Sequence, residues 1–282
     1  MNDATKEHPM PVETLSVGFS SCPNDIFIFE ALVSGRVDTA GMAFRSTIED
    51  VESLNLRARH RDLDITKISF HALGHLRTTH RLLESGSALG RGCGPLVISK
   101  RPLDVEELAS ARIAIPGALT TATLLLRLRV PAARDFEVMV FDQIIDAVEA
   151  GTVDAGLIIH ESRFTYASGG LSLIIDLGEW WEEETGLPIP LGGIIADRRL
   201  GEDRIRRVDA LLRESIRYAR ENPAEIWPAI RSHAQELDDA VIRSHIDLYV
   251  TDFTTNLGEE GHRAVDVLLG RAQEAGVLPR SG

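Results

Sequence analysis

His160 stands where a small apolar run, Ala155 to Ile159, stops and the chain turns polar through Glu161, Ser162 and Arg163. The run reads as a buried strand, and in an open α/β sheet ligands bind beyond the carboxyl ends of strands. Imidazole is the side chain whose ordinary pKa lies nearest neutrality, so a histidine placed there can move protons. On position alone such a residue is more often a hydrogen-bonded strand end than a base. Two further strand-end loops bear on that choice. Gly117 to Thr121 leads into a strongly apolar helix. The unpaired N–H groups of a helix start, with the Thr120 and Thr121 hydroxyls, make a natural cradle for a carboxylate or phosphate. The alternative is a plain threonine cap, and the pattern matches neither a Walker nor a dinucleotide-binding loop. Ser20 to Asp25 turns from a first strand into a helix. There Asn24 can donate to a carbonyl, Cys22 is a candidate nucleophile at a helix start, and Asp25 suits the positive end of the dipole.

Other constellations carry less. His71 and His75 lie four apart on a helix, but no glutamate follows His71 as a zincin motif requires, so a partly exposed helix face is expected. Trp180 and Trp181 read as a packed lid over a surface between lobes, although an aromatic pair can also wall a ligand.

These residues need elements to hold them. Strands at Leu15–Phe19, 43–48, 64–69, 95–99, 112–116, 136–141, 155–159, 171–177 and 191–196 alternate with helices, and four helices follow at 202–221, 223–234, 238–251 and 258–275. Such alternation implies a mainly parallel sheet with right-handed crossovers. So many strands fit two α/β lobes better than one sheet. The expected division places residues 14–100 and 192–282 in a discontinuous first lobe. Residues 101–191 form an inserted second lobe, and the ligand cleft lies between the two. Residues 1–13 read as a loose tail.

The chain of 282 residues, with 44% hydrophobic and 26% charged residues, has the composition of a globular protein. A formal net charge of −13 argues against nucleic acid or an anionic membrane as a main partner. It leaves room for a local site that takes an anionic small molecule. Cys22 and Cys93 are far apart and have no metal-ligand spacing, so neither a disulfide framework nor a zinc site is expected. The polar start of the chain has no apolar core of signal-peptide length and no apolar stretch approaches a membrane span, which makes a reducing cytoplasm the expected location.

Read together, several strings are specific: Ser21-Cys-Pro-Asn-Asp-Ile-Phe-Ile-Phe29, Ala88-Leu-Gly-Arg-Gly-Cys-Gly-Pro-Leu-Val97, Leu119-Thr-Thr121, Gly156-Leu-Ile-Ile-His-Glu-Ser-Arg-Phe-Thr-Tyr166 and Thr185-Gly-Leu-Pro-Ile-Pro-Leu-Gly192. In this order the chain resembles the 1,4-dihydroxy-6-naphthoate synthase family, which cleaves cyclic dehypoxanthinylfutalosine in the futalosine route to menaquinone. The resemblance implies a two-lobed, periplasmic-binding-protein-like (type II) fold. It also implies a carbon–carbon lyase that works without metal or cofactor on a small-molecule carboxylate. It makes His160 the catalytic base and Thr120 and Thr121 carboxylate contacts, with Cys22, Asn24 and Asp25 on the edge of the other lobe. Ser69 is expected in the cleft mainly from topology, at the end of its strand. Two departures stand out. Ile26 replaces the family's usual hydroxyl residue, and Ile68-Ser-Phe-His-Ala-Leu73 differs from the usual small, tyrosine-containing segment. The rival readings are chorismate dehydratase, a sister enzyme of the same pathway and fold, and a non-catalytic carboxylate-binding protein. A regulator's sensor lobe is disfavoured, since no DNA-binding helix pair or basic stripe is visible.

Overall fold

The computed structural model describes residues 13–160, 162–234 and 238–280; most of the expected tail, and Glu161 of the polar turn after His160, lie outside them. The chain begins with β1 (Glu13–Phe19), α1 (Pro23–Val33), β2 (Met42–Ile48), α2 (Val51–His60), β3 (Ile65–Ser69) and α3 (Phe70–Leu76). Two short strands, β4 (His80–Leu82) and β5 (Ala88–Gly90), precede β6 (Leu96–Ser99), β7 (Ile113–Ile115), α4 (Thr121–Arg129) and β8 (Phe136–Val138). Next come α5 (Ile144–Ala150), β9 (Ala155–Ile158), α6 (Ser162–Thr165), β10 (Ser172–Asp176), α7 (Leu177–Thr185) and β11 (Ile189–Asp197). The remainder is helical: α8 (Glu202–Glu221), α9 (Pro223–His233), α10 (Asp239–Tyr249), α11 (Asp252–Thr255) and α12 (Gly258–Glu274). No helix among the described residues is long and apolar enough to cross a membrane.

Two sheets result. The first has the order β2-β1-β3-β11-β4, with β5 also paired to β11, and the second has the order β10-β6-β9-β7-β8. Neither is mainly parallel as expected. Strands β1, β2 and β3 are parallel, as are β7, β8 and β9, but β11 runs antiparallel to β3, β4 and β5, and β6 runs antiparallel to β9 and β10. The reason lies in where these strands start. β1 and β3 run towards the cleft, β1 ending just before Ser20 and β3 at Ser69, whereas β11 passes it near its start, at Leu191 and Gly192, and runs away. Likewise β9 ends at the cleft near His160, and β6 leaves it just after Pro95. A strand that starts where its neighbours finish can pair with them only antiparallel. Residues 96–99, expected in the first lobe, accordingly belong to the second sheet.

Helix α1 is buried almost all round: Ile26, Phe27, Ile28, Phe29, Ala31 and Leu32 are buried, and so are the polar Asn24 and Asp25 of its first turn. It fits between the first sheet and the C-terminal helices, packing on α8, α9 and α10, where Val208, Leu212, Ile216, Ile226 and Ile242 complete one core. A helix buried all round loses amphipathic periodicity because it has no solvent face. In α2 the spacing puts Leu54 and Leu56 on one apolar face, yet Leu54 is buried while Leu56 is 43% exposed. A second core does not respect the division between sheets. Ile68, Phe70 and Leu73 from the first half pack in one cluster with Ile113, Leu124, Leu125 and Trp181 from the second, and α12 adds Leu268 and Leu269. Trp181 is fully buried in it, and its Nε1 donates to the Pro188 carbonyl at 3.1 Å. Its partner Trp180 is only half-buried.

Candidate active site

The strand ends enclose a cleft of about 670 Å³, including its open mouth. Asn24, Asp25, Ser69, Thr120, Thr121 and His160, all singled out from sequence, line it. Cys22 sits just behind the lining, with its sulfur against the His160 ring. Ser20, at the start of the expected Ser20–Asp25 loop, lines it as well; Lys67, Cys93, Leu191, Gly192 and Tyr249 line it too and were not anticipated.

The wall from the first sheet is built on Asp25. Its carboxylate takes four donors: Ser20 N–H at 3.1 Å, Ser20 Oγ at 2.7 Å, Asn24 Nδ2 at 3.0 Å and Lys67 Nζ at 2.9 Å. A carboxylate offers about four lone-pair positions, so Asp25 is saturated. The Lys67 and Asp25 side chains are 7% and 3% exposed, which makes this a buried ion pair. Such a pair survives desolvation only when hydrogen bonds satisfy both members, and Lys67 also donates to the Gly86 carbonyl at 3.2 Å. Lys67 had a signal in the sequence. Ser69 was expected in the cleft, and residues two apart on a strand share a face. Ser69 is held from behind by Asn55, whose Oδ1 accepts the Ser69 N–H at 2.9 Å and whose Nδ2 approaches its Oγ at 3.3 Å.

The Gly117–Thr121 loop departs from a simple anion cradle. Thr120 Oγ caps α4 by accepting the Thr123 N–H at 3.2 Å and also lies 3.0 Å from the Gly117 carbonyl. Thr121 Oγ donates to the Leu191 carbonyl of β11 at 2.5 Å. Both hydroxyls therefore have protein partners. The Leu119 N–H is also taken, by the Glu52 carboxylate reaching across from α2, at 3.0 and 3.2 Å. Gly117 permits that approach. Its φ is +152°, and a Cβ there would lie 2.6 Å from the Glu52 carboxyl carbon. His71, expected on a partly exposed face, is buried between the halves because α3 packs against α4. Its Nδ1 lies 3.2 Å from the Thr120 carbonyl. Burial drives the His71 pKa down to about 4, only partly offset by that carbonyl. His75 remains exposed, and among the described residues no three His, Cys, Asp or Glu side chains gather as a metal site would need.

His160 has a different setting. Its φ is +58°, a left-handed conformation that side chains other than glycine and asparagine rarely adopt. The turn into α6 holds this strain in place. Arg163 donates to the Gly94 carbonyl and pairs with Asp176 at 2.7 Å, fixing the turn. The ring lies edge-on to Phe141, centroids 4.9 Å apart. Cys22 Sγ, from the other sheet, lies 3.4 Å from its Nδ1 and 3.8 Å from its Nε2. Non-glycine residues in such conformations cluster at functional sites. Behind this group lies His245 of α10, fully buried, with Nε2 2.9 Å from Asn24 Oδ1 and its ring centroid 6.2 Å from that of His160. His245 and Tyr249 are four apart on one helix face, but nothing in the local sequence points that face at the cleft. Cys93, on the cleft wall, has its thiol pushed up to about 12 by burial, so it is an apolar, protonated surface rather than a nucleophile.

Residues 15–274 match the model of a family described as menaquinone biosynthesis. A Thermus thermophilus protein named 1,4-dihydroxy-6-naphthoate synthase is 48% identical over 270 residues, covering 96% of this chain and 98% of its own. A Streptomyces coelicolor protein of the same name is 45% identical over 278 residues, covering 97% and 98% respectively. Among solved structures, the periplasmic aliphatic sulphonate binding protein of Escherichia coli superposes with a TM-score of 0.65, covering 95% of this chain and 89% of its own. At 13% identity that likeness speaks for the fold alone, and the fold is the expected two-lobed, periplasmic-binding-protein architecture.

Proposed function

The chain belongs to the menaquinone biosynthesis family, and on that premise we propose that it converts cyclic dehypoxanthinylfutalosine to 1,4-dihydroxy-6-naphthoate. In this reading it is a carbon–carbon lyase with His160 as general base. The observation that carries the reading is His160 itself: a strained imidazole at a strand end, facing a cleft that two sheets share. Its strain and its contacts with Phe141 and Cys22 fix the ring before substrate arrives, which favours proton transfer from a bound carbon acid. Once the proton is lost, bond cleavage leads on to an aromatic product, and aromatisation supplies the driving force.

The substrate is a small-molecule carboxylate. Because the Thr120 and Thr121 hydroxyls have protein partners, the carboxylate is assigned to the first-turn amides of α4 at Thr121 and Ala122. The threonines shape that turn, and the dipole of α4 favours the charge. Across the cleft, Asn24, Ser69 and the Lys67 ammonium face the reacting part, and Asp25 contributes by orienting Lys67 and Asn24. The two lobes are read as 14–95 with 192–280, and 96–191. A reducing cytoplasm suits the buried, reduced thiols of Cys22 and Cys93.

The test is direct. Purified protein mixed with cyclic dehypoxanthinylfutalosine should produce naphthoate absorbance. Consumption of chorismate with no naphthoate from the cyclic substrate would place the chain with the sister dehydratase. Tight binding of either compound without turnover would make it a binding protein.

A further inference from the structure

The orientation of Asn24 follows from its neighbours. Asp25, paired with Lys67, can only accept, so the Asn24 group 3.0 Å from its Oδ1 must be the amide nitrogen. Asn24 Oδ1 then faces His245, and Nε2 of His245, at 2.9 Å, must donate to it. That fixes the neutral imidazole as the Nε2–H tautomer and leaves Nδ1 with a bare lone pair. Nδ1 is buried without a hydrogen-bond partner among the described residues. A buried acceptor left unanswered is destabilising, and an apolar side chain of similar size would avoid the cost, so its presence calls for a reason.

We infer that His245 is a positioning residue: it holds the Asn24 amide so that the second Nδ2 hydrogen faces the cleft and donates to a substrate oxygen. The inference rests on the reading of His160 as base. When a carbon–hydrogen bond breaks and the proton passes to His160, the electron pair moves onto a conjugated oxygen of the substrate. An N–H already aimed at that oxygen stabilises the transition state without reorganising. A charged His245 would oppose the imidazolium forming 6.2 Å away. Burial, and next the His160 charge, press the His245 pKa well below the usual histidine value, which keeps it neutral. The groups facing it are Asn24 and Asp25 on α1, with Lys67 behind them on β3, His160 beyond β9, and Tyr249 on its own helix at 4.6 Å between centroids.

Nitrogen-15 correlation spectra of the intact protein report the tautomer without any assay. A neutral Nε2–H imidazole at residue 245 from about pH 6 to pH 8 is expected. An imidazolium or an Nδ1–H form would overturn the inference. Kinetics then test the route through Asn24. Asn24→Ala should lower kcat about a hundredfold, and His245→Leu about tenfold or more with KM within about twofold. His245→Gln, which keeps a donor, should restore most of the lost kcat. In the Asn24→Ala background His245→Leu should change kcat little, because its effect is already lost. Additive losses would mean that His245 serves only packing and would sink the proposal. If His245→Leu does not fold, His245→Gln and the tautomer still decide. His160→Ala tests the base separately. If that variant stays active, the base reading fails, while the Asn24–His245 cycle still reports whether the pair acts together.

Discussion

The Thr120 and His160 ends of one cleft are built on opposite rules. At the Thr120 end, polar groups are answered by protein: hydroxyls by carbonyls, the Leu119 N–H by Glu52, and the Thr120 carbonyl by His71. Partners there come from both halves of the chain, so the end works as a seam. At the His160 end the backbone is left-handed and the buried Nδ1 of His245 goes unanswered among the described residues. Satisfied polar networks rigidify, whereas strain and unmet hydrogen-bonding capacity gather where a ligand is to complete the set. One cleft thus keeps holding together and doing chemistry at separate ends.

The sharpest way to break this contrast is to treat the two ends alike. His160→Ala should lower kcat about a thousandfold while leaving the melting temperature within about 3 °C. His160→Gly should be equally inactive yet about 1 kcal/mol more stable, because glycine accepts a φ of +58° without strain. A loss of stability in the glycine variant, measured by urea unfolding, would mean that the histidine is structural. The seam should respond the other way. Gly117→Ala drives a Cβ to 2.6 Å from the Glu52 carboxyl carbon and should cost about 2–4 kcal/mol while raising KM. Unchanged stability there would show that the seam is soft.

Smaller effects are expected elsewhere in the seam. Glu52→Gln should destabilise by about 1–2 kcal/mol by turning a charge-assisted bond into a neutral one, with kcat altered no more than about threefold. Acid should open the seam through His71. Its folded pKa is depressed to about 4 from 6.5, so its contribution is complete above pH 6.5 and is lost as the pH falls towards 4. His71→Gln should flatten the stability–pH curve over that interval, and a curve parallel to that of the parent protein would remove His71 as the cause. Smallest of all, Cys93→Ala should leave turnover within about threefold, since a thiol pushed up to about 12 takes no part as thiolate.

Much of this was legible in the sequence because local rules and tertiary demands agreed. The strand at Ala155–Ile158 is short, apolar and bounded, and the Pro23 and Thr120 helix starts carry their own signals. What escaped was set by packing between distant segments. Leu56 fits the apolar face of α2 by spacing, yet packing leaves it 43% exposed. Lys67 shares the Ser69 face of its strand, but only the fold shows that β3 is buried along its whole length and that Asp25 of α1 answers the charge. Glu52 looks like an ordinary first-turn acid of α2, and only the fold brings it to the amide of a loop 67 residues away. His245 is 221 residues from the asparagine it orients. The parallel-sheet expectation failed for a similar reason, since β6 and β11 take their direction from the cleft and not from a βαβ crossover.

The core that runs behind the cleft, joining Ile68, Phe70 and Leu73 to Leu124, Leu125 and Trp181, acts like the spine of a book. Covers bound along a spine swing through a limited arc, because opening them wide would expose the apolar binding itself. The reaction chamber is therefore shaped before anything enters it, and little of the substrate's affinity is consumed in shaping it. A ligand then enters and leaves by the fore-edge, the open mouth of the cleft that faces away from that spine.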